Sequence, residues 1–386
     1  MKFLKYESSH FYSILIISSS KMGVPERIKE IEDEIRRTQI NKATNHHVGL
    51  LRAKIARLKQ EQEEKSGRAS KSTGGYSVRR SGDATVSIIG LPSVGKSTLL
   101  NNLTGADSKV AAFDFTTLDI VPGMMTYNGA KVQILDLPGI IKGAASGKGF
   151  GKKVLSVART SNLVIMVVDV FKPDQTDLLR NELAQIGIRL DQKPPNITVD
   201  KKGSGGIQIT NLVPESISNS LIGGILRINK IHHARVFIPE PITTEQFIDV
   251  ISENRVYINS VTILNKVDLV DKKTLEDIKS KIGTDFIPIS ADKDRNLEDL
   301  KDAIYQQLDL IRIYLRPKGG VADYEEPLIV PRDSSIIEIC AKIHRDVQKN
   351  FRYAYIWGNS AKFKGQKVGK KHIVEDEDVV TLIITK

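Results

Sequence analysis

The sequence predicts an α/β protein whose centre is a mostly parallel sheet covered by helices. Three observations predict it. A glycine-rich loop, Gly90-Leu91-Pro92-Ser93-Val94-Gly95-Lys96-Ser97, lies between an apolar run at 84–89 and a helix-forming stretch from Thr98 to Leu103. Four more strand-like runs follow, at 131–135, 163–169, 261–265 and 286–289, with helical stretches between most of them. Alternation of this kind buries a parallel sheet between layers of helix. Finally, Asp169 and Asn265, which end consecutive strands, are separated by far more than the roughly 30 residues of a strand–helix–strand step. The helix expected for that step is 177–188, so 190–258 reads as an inserted α+β subdomain. Within it, 197–199 and 207–209 look like a hairpin, 234–238 like a strand and 244–252 like a helix.

With 386 residues there is room for two or three domains. The formal net charge is +11, which points to an acidic partner such as RNA or a ribosomal surface. The single cysteine, Cys340, excludes an internal disulfide, fits a reducing cytoplasm and reads as a small core residue. No apolar run reaches membrane-spanning length, so no membrane partner is expected. Residues 1–21 resemble a poor signal peptide without a cleavage site. They read as an upstream extension, for which a mis-assigned start is one account, Met22 opening a different, charged segment.

From Met22 to Lys65 the pattern is a helical hairpin. Ile28, Ile31 and Ile35 share one face, Pro25 suits a first turn, and Leu51, Ile55 and Leu58 form a second stripe. The hairpin either presents a partner surface or packs on its own protein. Its His46 and His47 read as surface residues. Residues 66–82, rich in Ser, Gly, Lys and Arg, read as a flexible basic linker that includes Arg79 and Arg80. The sheet domain spans 83–309. From 310 to 386 a smaller sheet is expected, with strands at 311–315, 327–330, 353–357 and 379–384 and one helix over 336–347. Trp357 reads as core. Lys362, Lys364, Lys367, Lys370 and Lys371 read as a solvated loop in which RNA contact is a second reading.

The loop G-x-x-x-x-G-K-S, placed between strand and helix, is a phosphate cradle. Gly90 and Gly95 let the backbone turn so that N–H groups face phosphate oxygens. Lys96 reaches the β- and γ-phosphates, Ser97 offers a hydroxyl to Mg²⁺, and Pro92, Ser93, Val94 and Thr98 complete the loop and helix start. Asp136-Leu137-Pro138-Gly139 ends the next strand, where a second Mg²⁺ anchor belongs. Asp136 would hold the metal through water, and the Gly139 N–H would sense the γ-phosphate. Between these motifs lies Phe115-Thr116-Thr117, and Thr117 is the preferred threonine to coordinate Mg²⁺ when a triphosphate is bound. Asn265-Lys266-Val267-Asp268 selects the base: an aspartate at that strand end accepts two hydrogen bonds from guanine N1–H and its amino group, a donor pair that adenine lacks. Asn265 would tie the base site to the phosphate loop, the stem of Lys266 would cover the base, and Ser290-Ala291 would support its other side. An ATP-binding reading is disfavoured by Asp268.

The order of these motifs resembles the translation-factor class of P-loop GTPases. Gly139–Gly151, reading G-I-I-K-G-A-A-S-G-K-G-F-G, resembles the glycine-rich switch of the Obg family. Gly23-Val24-Pro25-Glu26-Arg27-Ile28-Lys29-Glu30-Ile31-Glu32 with His46-His47 resembles more specifically the developmentally regulated GTP-binding proteins. The resemblance covers 22–386. It implies a helix-turn-helix-like N-terminal region, a P-loop GTPase domain interrupted by a ribosomal-S5-like insertion, and a C-terminal TGS domain of β-grasp type. It also implies GTP and GDP as ligands, a cytoplasmic, translation-linked role with ribosome or RNA contact, and leaves room for a stabilising protein partner. Two residues depart from other GTPases. Ile140 stands where Ras-like enzymes place a water-orienting glutamine, which implies slow intrinsic hydrolysis. Ser93 stands where several potassium-stimulated relatives carry asparagine, which leaves K⁺ an open second cation. The expected activity is a GTP-hydrolysing switch. The alternative is an RNA-binding or assembly protein whose nucleotide site is regulatory, with negligible turnover.

Overall fold

The computed structural model describes residues 23–39, 41, 44–69, 81–104, 121–138, 154, 156–253, 255–281 and 285–385. The upstream extension, Arg79 and Arg80, Phe115-Thr116-Thr117, and the glycine-rich segment with Gly139 and Ile140 lie outside these residues. The chain divides into two compact units, one from 1–75 with 193–255, the other from 76–192 with 256–386.

In chain order, α1 (Val24–Arg37) and α2 (Asn45–Ala69) form a helical hairpin. The Glu26 carboxylate accepts from the Gly23 N–H at 2.6 Å, and Arg36 and Arg37 in the last turn oppose the helix dipole. His47 meets Glu34 across the hairpin at 2.9 Å. Helix α2 continues to Ala69, so its last turn occupies the first residues of the expected linker at 66–82. The reason is local: 59–66 is built mostly of strong helix formers, and the single Gly67 costs only about 1 kcal/mol relative to alanine.

The second unit begins with β1 (Ala84–Gly90), buried throughout, and α3 (Lys96–Thr104). Then come β2 (Val121–Tyr127), β3 (Ala130–Asp136), β4 (Leu163–Asp169), α4 (Gln175–Gln185) and β5 (Ile188–Leu190). Strand β1 pairs in parallel with β3 on one side and β4 on the other. Strand β2, absent from the sequence reading, runs antiparallel to β3 at the sheet edge. Pro122 and Gly123 weaken its strand signal, and an edge is where a strand tolerates proline. The overlooked cue was Asn128-Gly129, the two-residue turn between them, with φ of 47° and 79°.

The insertion contributes β6 (Thr198–Lys201), β7 (Ile207–Asn211), α5 (Asn219–Ile228), β8 (Ala234–Ile238) and α6 (Thr244–Ser252) to the first unit. The expected hairpin does not form. Strand β8 lies between β6 and β7, antiparallel to the first and parallel to the second. With Ala234, Val236 and Ile238 all buried, β8 has the apolar face that a central strand needs, whereas β6 is exposed except at half-buried Val199 and β7 alternates between half-buried and exposed residues. The hairpin packs on this subdomain: Ala53 of α2 joins Leu221, Ile225 and Phe247 in one core. Close approach explains two glycines. A Cβ on Gly49 would come within 3.0 Å of Leu221, and one on Gly224 within 2.7 Å of Leu50. Arg52 and Glu245 close the contact as an ion pair.

The sheet of the second unit resumes with β9 (Val256–Asn265), followed by α7 (Lys272–Lys281), β10 (Ile287–Pro288) and α8 (Leu297–Leu308). Its order is β10-β9-β4-β1-β3-β2, with β5 also on β9. Alternate residues feed two cores. Ile88, Ile134, Ile165 and Ile263 face Leu99 of α3 and Leu300 of α8, while Ile89, Leu135, Met166 and Leu264 face Leu179 of α4.

Last come β11 (Leu310–Leu315), β12 (Leu328–Pro331), α9 (Ile336–Ile343), α10 (Arg345–Asn350), β13 (Phe351–Trp357), β14 (Gln366–Val368) and β15 (Val379–Ile384). They form a sheet in the order β12-β11-β15-β13-β14, parallel between β11 and β15 and otherwise antiparallel. Three expectations need correction. The helix over 336–347 breaks at His344, whose backbone is extended, giving α9 and α10. Part of the expected solvated lysine loop is strand β14. And Trp357 is not core: Ala354 and Ile356 point inward, so the period of two places Tyr353, Tyr355 and Trp357 on the outer face.

Candidate nucleotide-binding site

Four strands of the parallel sheet end at one crevice. The phosphate-loop sequence follows β1, Asp136 ends β3, Asp169 ends β4 and Asn265 ends β9. The carboxyl ends of parallel strands, where the strand order reverses direction, are where open α/β sheets bind ligands. The chain steps from β3 to β4 across β1, so the reversal falls at the loop after β1. A cavity of about 520 Å³ opens there, lined by Ser93, Gly95, Lys96, Ser97, Thr98, Asn265, Lys266, Asp268, Leu269, Ser290, Ala291 and Asp292.

Asn265 is the joint of this crevice. Its side chain is 2% exposed. Its amide Nδ2 donates to the Val94 carbonyl at 2.8 Å, and its Oδ1 accepts from the Ala291 N–H at 2.9 Å. One side chain thus fixes the distance between the phosphate loop and the 290–291 turn. Gly95, at φ 94°, leaves space for it, since a Cβ there would stand 2.3 Å from Asn265 Nδ2. Lys266, itself at φ 68°, extends over the crevice, where its Nζ donates to Asp169 Oδ2 at 2.6 Å and to the Ser93 carbonyl at 3.1 Å. Ser93 is left-handed too, at φ 63°. Non-glycine residues held in that conformation cost roughly 1–3 kcal/mol each and gather at ligand clamps.

At the phosphate end, Lys96 Nζ donates to the Leu91 carbonyl at 3.0 Å. Burial pulls the Lys96 ammonium below its ordinary pKa, with the Asp136 charge opposing the shift. Ser97 Oγ donates to Asp136 Oδ2 at 2.8 Å. Burial raises the Asp136 carboxyl, against the Ser97 hydrogen bond and the Lys96 charge. Its other oxygen, Oδ1, is buried without a hydrogen-bond partner among the described residues. A hydroxyl and a carboxylate with a free buried oxygen are the hard donors that Mg²⁺ takes, so the residues present fit that ion.

The structure therefore brings together Ser93, Gly95, Lys96, Ser97, Thr98, Asp136, Asn265, Lys266, Asp268, Ser290 and Ala291. Asp136 joins the site through Ser97, and Gly90, Pro92 and Val94 are adjacent; none of these four lines the cavity. Gly90 belongs to the extended strand β1, and its missing side chain admits the Val167 carbonyl, which a Cβ would meet at 2.6 Å. It supports close strand packing rather than the turn. Val94 contributes its carbonyl, while its side chain is core. Thr117 and Gly139 lie outside the described residues. Sequence reasoning missed two supporting residues. Asp169 holds the head of Lys266; a charged residue closing an otherwise apolar parallel strand was its signal. Asn102 of α3 donates to the Ala291 carbonyl and, at 2.5 Å, to Asp294, tying the 290–294 turn to the phosphate-loop helix. Nothing in its local sequence marks that role.

Fold and crevice together define a P-loop nucleotide-binding protein, and comparison with known proteins assigns the class. Residues 85–201 match the family described as "50S ribosome-binding GTPase", 204–310 match the C-terminal region of that domain, and 311–384 match the TGS domain. An uncharacterised GTP-binding protein of Methanocaldococcus jannaschii is 48% identical over 369 residues, covering 95% of this chain and 94% of its own. Developmentally-regulated GTP-binding protein 1 of Xenopus laevis is 46% identical over 365 residues, covering 94% and 99%. Among solved structures, the YchF GTPase of Schizosaccharomyces pombe covers 80% of this chain and 100% of its own at 15% identity, with a TM-score of 0.44. The chain belongs to the developmentally regulated GTP-binding protein family, and is thus a GTP-binding GTPase with a C-terminal TGS domain. No helix among the described residues is long and apolar enough to cross a membrane.

Proposed function

We propose that this chain is a slow, Mg²⁺-dependent guanine-nucleotide switch that acts in the cytoplasm on a ribosome or another RNA surface. The observation that supports the nucleotide reading is the Asn265 joint, which ties the loop at Val94 to the 290–291 turn at the edge of one cavity. Asp268 accepts the two guanine donors, and the Lys266 stem, held by Asp169, covers the base. Lys96 directs its charge at the β- and γ-phosphates; an anionic ligand restores the ammonium stability that burial removes. Ser97 and Asp136 would hold Mg²⁺, which would supply positive charge against the phosphate oxygens. Thr117 and the Gly139 N–H are the switch residues that report the γ-phosphate. Ile140 has no group that could orient the attacking water, so the water is held by something else: backbone groups of the glycine-rich switch, the Thr117 region, K⁺ near Ser93 or a group from a partner.

The net charge of +11 and the ribosome-binding description of the matched family support the RNA-surface half of the reading. The experiment is co-sedimentation with ribosomes in GDP, in a GTP analogue and without nucleotide, alongside GTP turnover with and without ribosomes. Binding that depends on the nucleotide, with turnover raised by ribosomes, is the expected result. Binding indifferent to nucleotide, with no turnover in either case, would replace the switch with an RNA-binding protein whose nucleotide site is regulatory.

A further inference from the structure

The turn from Ser290 to Arg295 is tied down at almost every residue. Its ends pair as a bridge, the Ser290 N–H donating to the Arg295 carbonyl at 3.2 Å and the Arg295 N–H to the Ser290 carbonyl at 3.0 Å. The Ser290 hydroxyl accepts from the Lys293 N–H at 3.2 Å. The Ala291 N–H is taken by Asn265 Oδ1 at 2.9 Å. The Ala291 carbonyl is taken by Asn102, which reaches the turn from α3. Both protons of the Asn102 amide are used, one on that carbonyl and one on the Asp294 carboxylate. Two acceptors leave the amide a single orientation. They also tether Asp294, whose φ of 51° is left-handed.

One donor of the turn is left over. The Asp292 N–H has no hydrogen-bond partner among the described residues. It belongs to the same peptide unit as the Ala291 carbonyl. A trans peptide is planar, with its C=O and N–H on opposite edges. Asn102 holds the oxygen edge from outside the cavity, whose lining includes Ala291 and Asp292 but not Asn102. The nitrogen edge therefore faces the cavity. A hydrogen bond on the oxygen also polarises the N–H and makes it a better donor.

We propose that Asn102 is a positioning residue for guanine recognition: by holding the Ala291 carbonyl, it aims the Asp292 N–H at the base oxygen O6. Asp268 reads the N1–H and amino edge of the base, and this peptide reads the acceptor beside that edge. The donor is the Asp292 N–H because Asn265 already occupies that of Ala291. Adenine has an amino group at the place of O6, so a donor would face a donor there, and the contact adds to the discrimination that Asp268 supplies. Helix α3 also carries Lys96 and Ser97, so the element that meets the phosphates sets the angle of the peptide that reads the base. This role rests on the guanine reading of the cavity, which Asp268 carries.

The full-length protein, in Mg²⁺, is titrated calorimetrically with GDP, with 6-thio-GDP and with IDP. The thio analogue replaces O6 with sulfur, a weaker acceptor, and keeps the N1–H and amino group. IDP keeps O6 and lacks the amino group that Asp268 binds. One hydrogen bond is worth about three- to tenfold in affinity, so the parent should prefer GDP to 6-thio-GDP by that factor. Asn102→Ala should lower GDP affinity by about three- to tenfold and bring the two ligands within about twofold of each other, while the GDP-to-IDP ratio stays that of the parent. Asn102→Asp fills the same volume without a proton to give, should behave alike, and serves if the alanine variant does not fold. Equal losses for all three ligands would make Asn102 a structural support only and overturn the proposal. Unchanged GDP affinity in a folded variant, or a parent indifferent to the sulfur, would do the same. A parent indifferent to the missing amino group would instead remove Asp268 from the base site, and the thio comparison would still decide the role of Asn102.

Discussion

Replacing Asn265 with alanine removes both hydrogen bonds that join the phosphate loop to the 290–291 turn. The side chain is 2% exposed, so water does not readily replace it. The Val94 carbonyl loses the bond measured at 2.8 Å, and the Ala291 N–H loses the one at 2.9 Å. Leaving a buried polar group unpaired costs roughly 1–3 kcal/mol, so the two together cost about 2–6 kcal/mol. The thermal midpoint should fall by several degrees, and GDP affinity by about tenfold or more, since the two loops that bracket the nucleotide lose their spacer. Thermal unfolding with and without GDP measures the first, and titration with a fluorescent guanine nucleotide the second. Gly95→Ala attacks the same joint from the other side, because its Cβ would collide with Asn265 Nδ2 at 2.3 Å. The double variant should therefore cost less than the sum of the singles, the mark of groups that share a contact. Stability and GDP affinity both within about 0.5 kcal/mol of the parent, or strict additivity in the cycle, would refute the joint.

Three other outcomes follow from the same geometry. Asp268→Asn should lower GTP affinity by roughly 2–3 kcal/mol and shift preference toward xanthosine nucleotides, whose oxygen suits an amide donor; competition binding measures this. Lys96→Ala or Ser97→Ala should abolish hydrolysis while circular dichroism stays that of the parent, because both side chains act on the triphosphate rather than the core; full turnover in either would remove that residue from catalysis. Acid stability should depend on Asp376. Burial works against its charge, but the Arg312 hydrogen bonds and charge prevail and hold its carboxyl below the ordinary value. A depressed carboxylate stabilises above its unfolded pKa, and that stability is lost as pH falls through the folded value. The acid limb of a stability–pH profile should flatten in Asp376→Asn, and an unchanged limb would show the pair to be inconsequential.

The residues that gather at the candidate nucleotide site were locatable in the linear chain because each motif is local. A phosphate cradle needs glycine at defined spacing followed by lysine and serine, and a guanine acceptor needs an aspartate just past a strand, so Gly95-Lys96-Ser97 and Asn265-Lys266-Val267-Asp268 carry their meaning in a few consecutive residues. The sheet strands were equally legible where burial on both faces made an unbroken apolar run, as in 163–169. Tertiary structure decided whatever depends on residues distant in sequence. Only the parallel pairing of β4 with β9 sets Asp169 beside Asn265 and so gives Lys266 its anchor. Only packing against the insertion decided that the N-terminal hairpin buries the Leu50, Ala53 and Ala56 face of α2 on its own chain, with Gly49 and Gly224 marking the approach. And hydrophobicity alone put Trp357 in the core, whereas the register of β13 turned Ala354 and Ile356 inward and left the larger rings outside. A single-residue shift exchanges the two faces of a strand. That choice was made by the partners β13 found in β14 and β15, not by the composition of β13 itself.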